Sequence, residues 1–182
     1  RVRKVDVVTG VITTFAGTGQ PGYSGDGKQA IKARIGAPSA IDFDMYGNLY
    51  FADLTQHVVR KIDLNGIITT VAGTGMPGFS PDGTPALEAK LFKPLGVAVM
   101  TDGTVYFSDS RNNRVRTITD TGLLLTVAGS EIAGDAGDGG PATKASLNEP
   151  QGLAIYGDDV LLISDHYNNR IKAVKLDKNG NL

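Results

Sequence analysis

The hydrophobic and polar positions of this chain form short runs separated by turn signals. In the middle of the sequence, four runs are rich in β-branched and apolar residues, at 96–100, 104–108, 114–119 and 123–128. The pair Asp102-Gly103 between the first two runs is a strong hairpin signal. The first run is apolar on both faces, which predicts an inner strand. The third alternates polar and apolar residues, which predicts a strand with one face in solvent.

This pattern repeats every 56 residues. Four anchors recur in register: an Ala-Gly pair at 16, 72 and 128, a proline at 38, 94 and 150, an aspartate at 53, 109 and 165, and a basic residue at 60, 116 and 172. A meander of four strands cannot bury both of its faces alone, so repeated meanders must stack on one another. The repeat therefore predicts an all-β fold, a β-propeller of four-stranded antiparallel blades.

The chain is predicted to be a single domain over residues 1–182, a propeller segment made of blade parts and connectors. The blade parts are predicted at 1–16, 38–72, 94–128 and 150–177, and the long connectors at 17–37, 73–93 and 129–149. The second half of a connector predicts a short helical turn, with Pro85 at a tolerated first position. The parts add up to thirteen strands, or about three blades, whereas propellers commonly close with about four to eight. We therefore expect an incomplete propeller, completed by other blades of the same propeller or by a second copy of the chain.

Several of the repeated strings resemble the NHL repeat. They are Asp102-Gly103, Val105-Tyr106-Phe107-Ser108-Asp109, Asn112-Asn113-Arg114 and, at the start of the connector, Ala72-Gly73-Thr74-Gly75. The long connector is similar to that of the long variant of this repeat, which occurs in bacterial secreted proteins and in the propeller of teneurin-like adhesion molecules. The resemblance covers essentially the whole chain and implies the propeller fold. It leaves the function open, since NHL propellers serve as protein-binding platforms, RNA-binding surfaces, sensor domains and, more rarely, enzymes.

Composition narrows the functional classes. The 18 Lys and Arg residues face 19 Asp and Glu residues, so a net charge of −1 gives no overall field that would attract nucleic acid. The absence of cysteine excludes a disulfide or a thiolate metal site. No apolar run approaches the roughly 20 residues of a membrane helix, so membrane insertion is not expected. The compartment stays open, with an extracellular or cell-surface location favoured.

The aspartates at the ends of the second strands have two possible roles. Asp53, Asp109 and Asp165 could form a ring of carboxylates for a cation, or each could accept backbone N–H groups from the Asn-Asn-Arg loop that follows. We favour the second role, because a residue needed in every blade is usually part of the blade. The predicted structural repeat positions are Asp53, Asp109, Asp165, Asn113, Asn169, Gly17, Gly73 and Gly129.

A second set of aspartates lies in the glycine-rich part of the connectors, at 26, 82 and 138. Calcium prefers oxygen ligands in such loops, and the third copy adds a second carboxylate at Asp135. No copy contains the full Asp-x-Asp-x-Asp-Gly series with a distal Glu, and a turn aspartate before a glycine explains the pattern. We predict no metal site and keep Asp135 and Asp138 as weak calcium candidates.

Basic residues recur on the predicted third strands. They are Arg3, Lys4, Arg60, Lys61, Arg114, Arg116, Arg170 and Lys172. They could form a stripe that binds RNA, or a solvated strand face with ion pairs to neighbouring aspartates; the balanced charge favours the latter. The two histidines, His57 and His166, occupy different repeat positions. Zinc catalysis needs about three protein ligands, so a zinc site like that of some NHL-like lyases is not predicted.

Together these patterns predict a non-enzymatic interaction or scaffold module that binds a protein, or possibly a glycan, through loops at the top of the blades. The candidate surface consists of His57, Arg111, Arg114, His166, Tyr167 and Arg170. One alternative is a fragment of an NHL-like lyase or hydrolase whose catalytic residues lie partly outside this chain. A second alternative is RNA binding by a basic face. No catalytic residue and no cofactor are predicted, and nucleic acid is not the expected partner.

Overall fold

The computed structural model describes residues 1–176, which form strands joined by turns, with four short 3-10 segments. The strands are β1 (Val2–Val5), β2 (Ile12–Ala16), β3 (Lys28–Gln29), β4 (Pro38–Phe43), β5 (Leu49–Asp53), β6 (Val58–Ile62), β7 (Ile67–Ala72), β8 (Pro94–Val99), β9 (Val105–Asp109), β10 (Arg114–Ile118), β11 (Leu124–Ala128), β12 (Pro150–Tyr156), β13 (Val160–Asp165) and β14 (Arg170–Lys175). The 3-10 segments are Ala30–Lys32, Ser110–Asn112, Ala142–Lys144 and His166–Asn168. None of these helical segments within residues 1–176 has the length and apolarity needed to cross a bilayer.

The strands form antiparallel meanders, as the repeat predicted. One complete blade has the order β8-β9-β10-β11, and the blade before it has the order β4-β5-β6-β7 with β3 added outside β7. The pair β1-β2 supplies the last two strands of a preceding blade, and β12-β13-β14 supplies the first three of a following one. The prediction of an incomplete all-β propeller is therefore confirmed. Residue 177, at the end of the last predicted blade part, and the turn expected after it lie outside the described residues.

The connectors contain more structure than the sequence predicted. Residues 1–176 form fourteen strands instead of thirteen, because Lys28–Gln29 pairs with Ile67 and Ile68 at the outer edge of β7. The next connector repeats this contact as a single bridge between Pro85 and Leu123. The outermost strand of a blade presents unpaired N–H and C=O groups, and each of these connectors covers them.

The predicted helical turn exists in a tighter form. It is a 3-10 segment in the first and third connectors, at Ala30–Lys32 and Ala142–Lys144. In the middle connector, residues 85–88 form one hydrogen-bonded turn, in which the Glu88 N–H donates to the Pro85 carbonyl at 2.8 Å. A segment this short cannot complete the hydrogen bonds of an α-helix, so the tighter turn results.

The hydrophobic core lies between blades. One buried cluster joins Tyr50 and Val59 of one blade to Val97 and Phe107 of the next. The connector between these blades contributes Ala86, Ala89 and Leu91 to the same cluster. The small alanines allow the connector to approach both blades closely, and the leucine fills the remaining space. Each connector is therefore a wedge between neighbouring blades as well as a link.

The two ends of the arc expose the side chains that blades otherwise bury. Ile41 and Phe43 on β4 are each 51% exposed, whereas Val97 at the equivalent position of β8 is 4% exposed. At the other end Ile171 is 69% exposed, whereas its equivalents Val59 and Val115 are fully buried. The prediction of an inner strand packed on both faces holds for β8, which has neighbours on both sides.

One strand differs from its prediction. The alternating pattern of β10 indicated a face in solvent, but Arg116 and Thr117 are both buried. The connector 73–93 lies over this face, and Arg116 Nη2 donates to the Ser80 carbonyl at 3.1 Å and to Asp82 Oδ1 at 3.0 Å. Arg116 is therefore hydrogen-bonded by the connector rather than by water, and Thr117 Oγ1, on the opposite face of the strand, donates to the Val105 carbonyl at 2.9 Å.

Candidate interaction surface

One face of the arc is formed where the loops between second and third strands meet the ends of the connectors. The N–H of Arg111 donates to the Phe92 carbonyl at 3.0 Å, and the N–H of Tyr167 donates to the Asn148 carbonyl at 3.1 Å. Because a meander reverses direction at every strand, these loops all lie at the same end of the blades. We call this end, formed by residues 54–57, 110–113 and 166–169 with the connector ends, the connector face. The opposite end, formed by the other hairpin turns, is the turn face.

The recurring aspartates of the second strands anchor this face. Asp109 is fully buried, and its carboxylate accepts the Phe92 N–H at 2.7 Å and the Asn112 side-chain amide at 2.8 Å. Asp165 accepts the Asn148 N–H and the Asn168 amide, each at 2.7 Å. Each carboxylate ties a connector to a loop of the same blade.

The donors to these aspartates are not the ones that the sequence suggested. Asp53 accepts the backbone N–H groups of Gly36 and Ala37 at 2.8 and 3.0 Å. In all three blades the backbone donor lies in the connector before the blade, whereas the expected donor was the Asn-Asn-Arg loop after it. That loop contributes an asparagine side chain in two blades. The long connector folds back to the blade it precedes, which local sequence reasoning did not anticipate.

A buried ion pair lies directly beneath the face. Arg116 Nη1 is 3.6 Å from Asp109 Oδ2, and both side chains are fully buried. Burial raises the pKa of Asp109 to about 6, against the lowering effect of its hydrogen bonds and of Arg116. Burial also lowers the pKa of Arg116. Removing the two charges from water therefore costs free energy, and the hydrogen bonds that the connector makes to them offset only part of that cost.

His57 occupies a position that is asparagine in the other blades. The φ angles of His57, Asn113 and Asn169 are 55°, 54° and 53°, all in the left-handed region. His57 Nδ1 accepts the Lys93 N–H at 3.1 Å, as Asn113 Oδ1 accepts the Glu149 N–H at 3.0 Å. Partial burial lowers the pKa of His57. The imidazole thus replaces the asparagine amide at a structural position.

The other predicted surface residues lie on the connector face but in separate contacts. Arg111 pairs with Glu149 at 2.8 Å, and the Arg114 guanidinium lies 4.5 Å from the centre of the Phe79 ring. His166 packs on Tyr167, with ring centres 4.7 Å apart. The structure therefore does not gather the six residues into one cluster. It distributes them over the loops and the third strands of three blades.

The two calcium candidates contact cations already present in the chain. Lys172 Nζ lies 2.6 Å from Asp138 Oδ1 and 3.1 Å from Asp135 Oδ1, and Arg170 pairs with Asp135 at 2.7 Å. The hydrogen bond and charge of Lys172 lower the pKa of Asp138, and Asp138 raises the pKa of Lys172. Within residues 1–176 no three His, Cys, Asp or Glu side chains are grouped closely enough to hold a metal ion.

The basic residues of the third strands do not share one solvated face. Arg60 and Arg116 are fully buried, and they pair with the connector aspartates Asp26 and Asp82. The Arg60 guanidinium also lies 5.3 Å from the centre of the Tyr23 ring. The expected solvated face is therefore wrong for these two residues. The connector covers them, and its aspartates replace water.

Sequence reasoning missed the exposed apolar residues of the connectors. Met76, Phe79 and Ile132 are 59%, 47% and 68% exposed. Met76 and Ile132 occupy the same repeat position, directly after the Gly-rich opening of a connector. Apolar residues in an otherwise polar loop were the available signal. With Tyr167, which is also exposed, these side chains form what we call the apolar residues of the connector face.

Comparison with known proteins agrees with this architecture. The family model of the teneurin NHL domain matches residues 2–78 and 77–136. Teneurin-1 of Gallus gallus is 27% identical over 255 residues, which cover 97% of this chain and 9% of that protein. Protein SUPPRESSOR OF QUENCHING 1, chloroplastic, of Arabidopsis thaliana is 30% identical over 189 residues, covering 98% of this chain and 17% of that protein.

A solved structure shares the fold. A structural genomics protein of unknown function from Bacteroides thetaiotaomicron superimposes with a TM-score of 0.73 at 22% identity, covering 94% of this chain and 41% of that one. The chain thus spans less than a fifth of the curated relatives described above and about two fifths of this solved chain. With a family model that matches most of its length and blades of the corresponding geometry, the chain belongs to the NHL-repeat family of the teneurin type.

Proposed function

We propose that this propeller segment is an interaction module that binds a protein partner through the connector face. The observation that carries the proposal is the exposed Phe79 ring, which lies 4.5 Å from the Arg114 guanidinium and follows the exposed Met76 by three residues. Methionine, aromatic residues and arginine are the types enriched at protein interfaces. A guanidinium stacked on an exposed ring holds both groups in place before binding, which lowers the entropy lost on association.

The scaffold beneath these residues supports such a role. The loops are fixed by buried aspartates, so the exposed side chains lie on a rigid base. Binding residues on loops that a rigid scaffold positions are a common arrangement in interaction domains. The apolar residues are spread over two connectors and the loop of the last blade, which fits an extended protein surface better than a single compact glycan.

The test uses the variant Met76→Ser/Phe79→Ser and the control Met45→Ser, which removes a similarly exposed apolar side chain from the β4–β5 turn, on the turn face and outside any groove described for the chain. The immobilised chain is incubated with a cell-surface protein extract, and bound proteins are quantified for all three forms. We expect at least one protein to be retained by the wild type and the control and to be lost from the double variant. Equal retention by all three forms, or retention of a glycan with no protein, would contradict the proposal.

A further inference from the structure

A groove of about 550 Å³ lies on the turn face between the two complete blades. Its floor consists of the apolar side chains of Tyr50, Val71, Val105 and Ile118, and Leu87 of the connector lies at its edge. This volume falls within the range of about 300–1,000 Å³ that is typical of sites that hold small ligands or a few side chains. We call it the inter-blade groove. It lies at the opposite end of the blades from the connector face.

Three carboxylates from three separate segments line this groove. Glu88 belongs to the connector, Asp102 to the β8–β9 turn and Asp120 to the β10–β11 turn. All three are exposed, and none of them takes part in an ion pair within residues 1–176. In contrast, the connector aspartates Asp82 and Asp138 are paired with Arg116 and Lys172. Lys61 Nζ lies 5.4 Å from the centre of the Tyr50 ring, so one cation faces three carboxylates and the groove carries an excess of negative charge around its apolar floor.

The repeat shows that the fold does not require the charges of Glu88 and Asp120, whereas the Asp102 carboxylate accepts the Thr104 N–H at 2.8 Å within its turn. The position of Glu88 is lysine in the other two connectors, at Lys32 and Lys144. The residues one 56-residue period before and after Asp120 are Leu64 and Leu176. Residues that build a blade recur in every copy, as Asp53, Asp109 and Asp165 do. A carboxylate present in one copy and replaced by lysine or leucine in the others is not needed for folding, so its charge is free to serve a ligand.

We propose that the inter-blade groove binds a basic, partly apolar peptide segment of a protein partner. Lysine or arginine side chains of the segment lie against Glu88, Asp102 and Asp120, and an intervening aliphatic or aromatic side chain contacts the floor. Complementary charge gives orientation and a fast association rate, and the apolar contact slows dissociation. The groove is partly open to solvent, which admits a peptide segment.

The experiment is a titration of the 182-residue chain with the fluorescently labelled peptide acetyl-Arg-Leu-Lys-Phe-Lys-amide, read by anisotropy. Glu88→Lys and Asp120→Leu introduce residues that the chain already uses at the equivalent positions. We expect the double variant to bind at least about tenfold more weakly than the wild type. The control Glu131→Lys makes the same charge change as Glu88→Lys at an exposed position in the third connector that has no ion pair within residues 1–176, and it should change the affinity less than about twofold.

Further titrations, with a second peptide and a second variant, identify what the groove recognises. A polar basic peptide, acetyl-Arg-Ser-Lys-Ser-Lys-amide, should bind at least about tenfold more weakly, because it lacks the apolar contact. The connector-face variant Met76→Ser/Phe79→Ser should bind the first peptide like the wild type, so failure here is distinguishable from failure of the proposed function. If Asp120→Leu alters the circular dichroism spectrum, Asp120→Asn replaces it. Equal weakening by Glu131→Lys, wild-type binding by the double variant, or equal binding of both peptides would overturn the proposal.

Discussion

At the scale of single residues, the two fully buried charges of Asp109 and Arg116 depend on a segment that is distant in the sequence. Asp109 and Arg116 are 3.6 Å apart beneath the connector face, and their burial depends on a connector that begins more than 30 residues before either of them. A pattern read along β10 cannot reveal a cover supplied by a distant segment. The recurrence of Asp109 and Arg116 in register was the indication that both belong to the blade.

The raised pKa of Asp109 predicts an unusual pH dependence. Its folded-state value of about 6 exceeds the ordinary value of 3.8, so the folded state binds this proton more tightly than the unfolded state does. The contribution of Asp109 to the free energy of unfolding is full below about pH 4 and is lost as the pH rises through 6, by up to about 3 kcal/mol. Urea unfolding between pH 4.5 and about 7 should therefore show a loss of stability that is absent in Asp109→Asn.

That measurement needs a background without His57. The lowered pKa of His57 acts in the opposite direction, since its contribution is lost as the pH falls through the same range. Comparing His57→Asn with His57→Asn/Asp109→Asn isolates the aspartate. Parallel pH profiles for these two forms would show that Asp109 has an ordinary pKa.

The left-handed position of His57 leads to a second prediction. His57→Asn should leave the free energy of unfolding within about 0.5 kcal/mol of the wild type, because asparagine tolerates this φ and can accept the Lys93 N–H. His57→Ala should lower the free energy of unfolding by about 1–2 kcal/mol, because alanine is strained at this φ and has no side-chain acceptor for the Lys93 N–H. The control is Asn169→Ala, which has the same φ without an equivalent hydrogen bond in the described part of the chain. A larger loss in Asn169→Ala than in His57→Ala would contradict this account.

At the scale of elements, the connector determines how many polar groups of a blade are hydrogen-bonded. Gly129 opens the third connector with a φ of 90°, and a Cβ atom there would overlap the Asn113 carbonyl oxygen. Gly129→Ala should therefore lower the free energy of unfolding by at least about 3 kcal/mol. The backbone must move to relieve the overlap, and alanine is strained at this positive φ. Chemical denaturation measures this loss.

Gly122 supplies the matched comparison. It has a φ of 80° in the β10–β11 turn, but no atom lies within 4 Å of the position of an added Cβ. Gly122→Ala should cost about 1 kcal/mol from backbone strain alone. Similar losses in both alanine variants would show that the contact between Gly129 and the loop at Asn113 does not constrain the connector.

Sequence reasoning predicted the strands well because their signals are local. The runs around Asp102-Gly103 gave β8 to β11 to within about two residues at each end, since turns and alternation are encoded by neighbouring residues. The strand β3 was missed because two residues, Lys28 and Gln29, carry no alternation of their own. The contacts of Phe92 with Asp109 and of Ser80 with Arg116 were missed because they join positions 17 and 36 residues apart.

At the scale of the whole molecule, both ends of the arc expose surfaces that are buried between blades elsewhere. Ile41 and Phe43 at one end and Ile171 at the other have buried equivalents in the interior. Exposed apolar surface of this kind favours association. We propose that further blades or a second copy of the chain cover these ends.

Sedimentation velocity over about 1–100 µM tests this proposal, since association depends on concentration. We expect the wild type to sediment faster as its concentration rises, and Ile41→Ser/Phe43→Ser to remain closer to a monomer. Met76→Ser, which removes an exposed apolar side chain from the connector face, is the control and should behave like the wild type. A monodisperse monomer at every concentration, with a cooperative melt, would contradict the proposal.

The strand β3, which the first connector adds beside β7, affects how this blade forms during synthesis. Lys28 and Gln29 leave the ribosome well before Ile67 and Ile68, with which they pair. The outermost strand of that blade is the last of its four to be synthesised, and its partner on the outer side is already present when it emerges. The strand can therefore dock between two existing edges as soon as it appears, which shortens the time during which a nascent blade exposes an open edge.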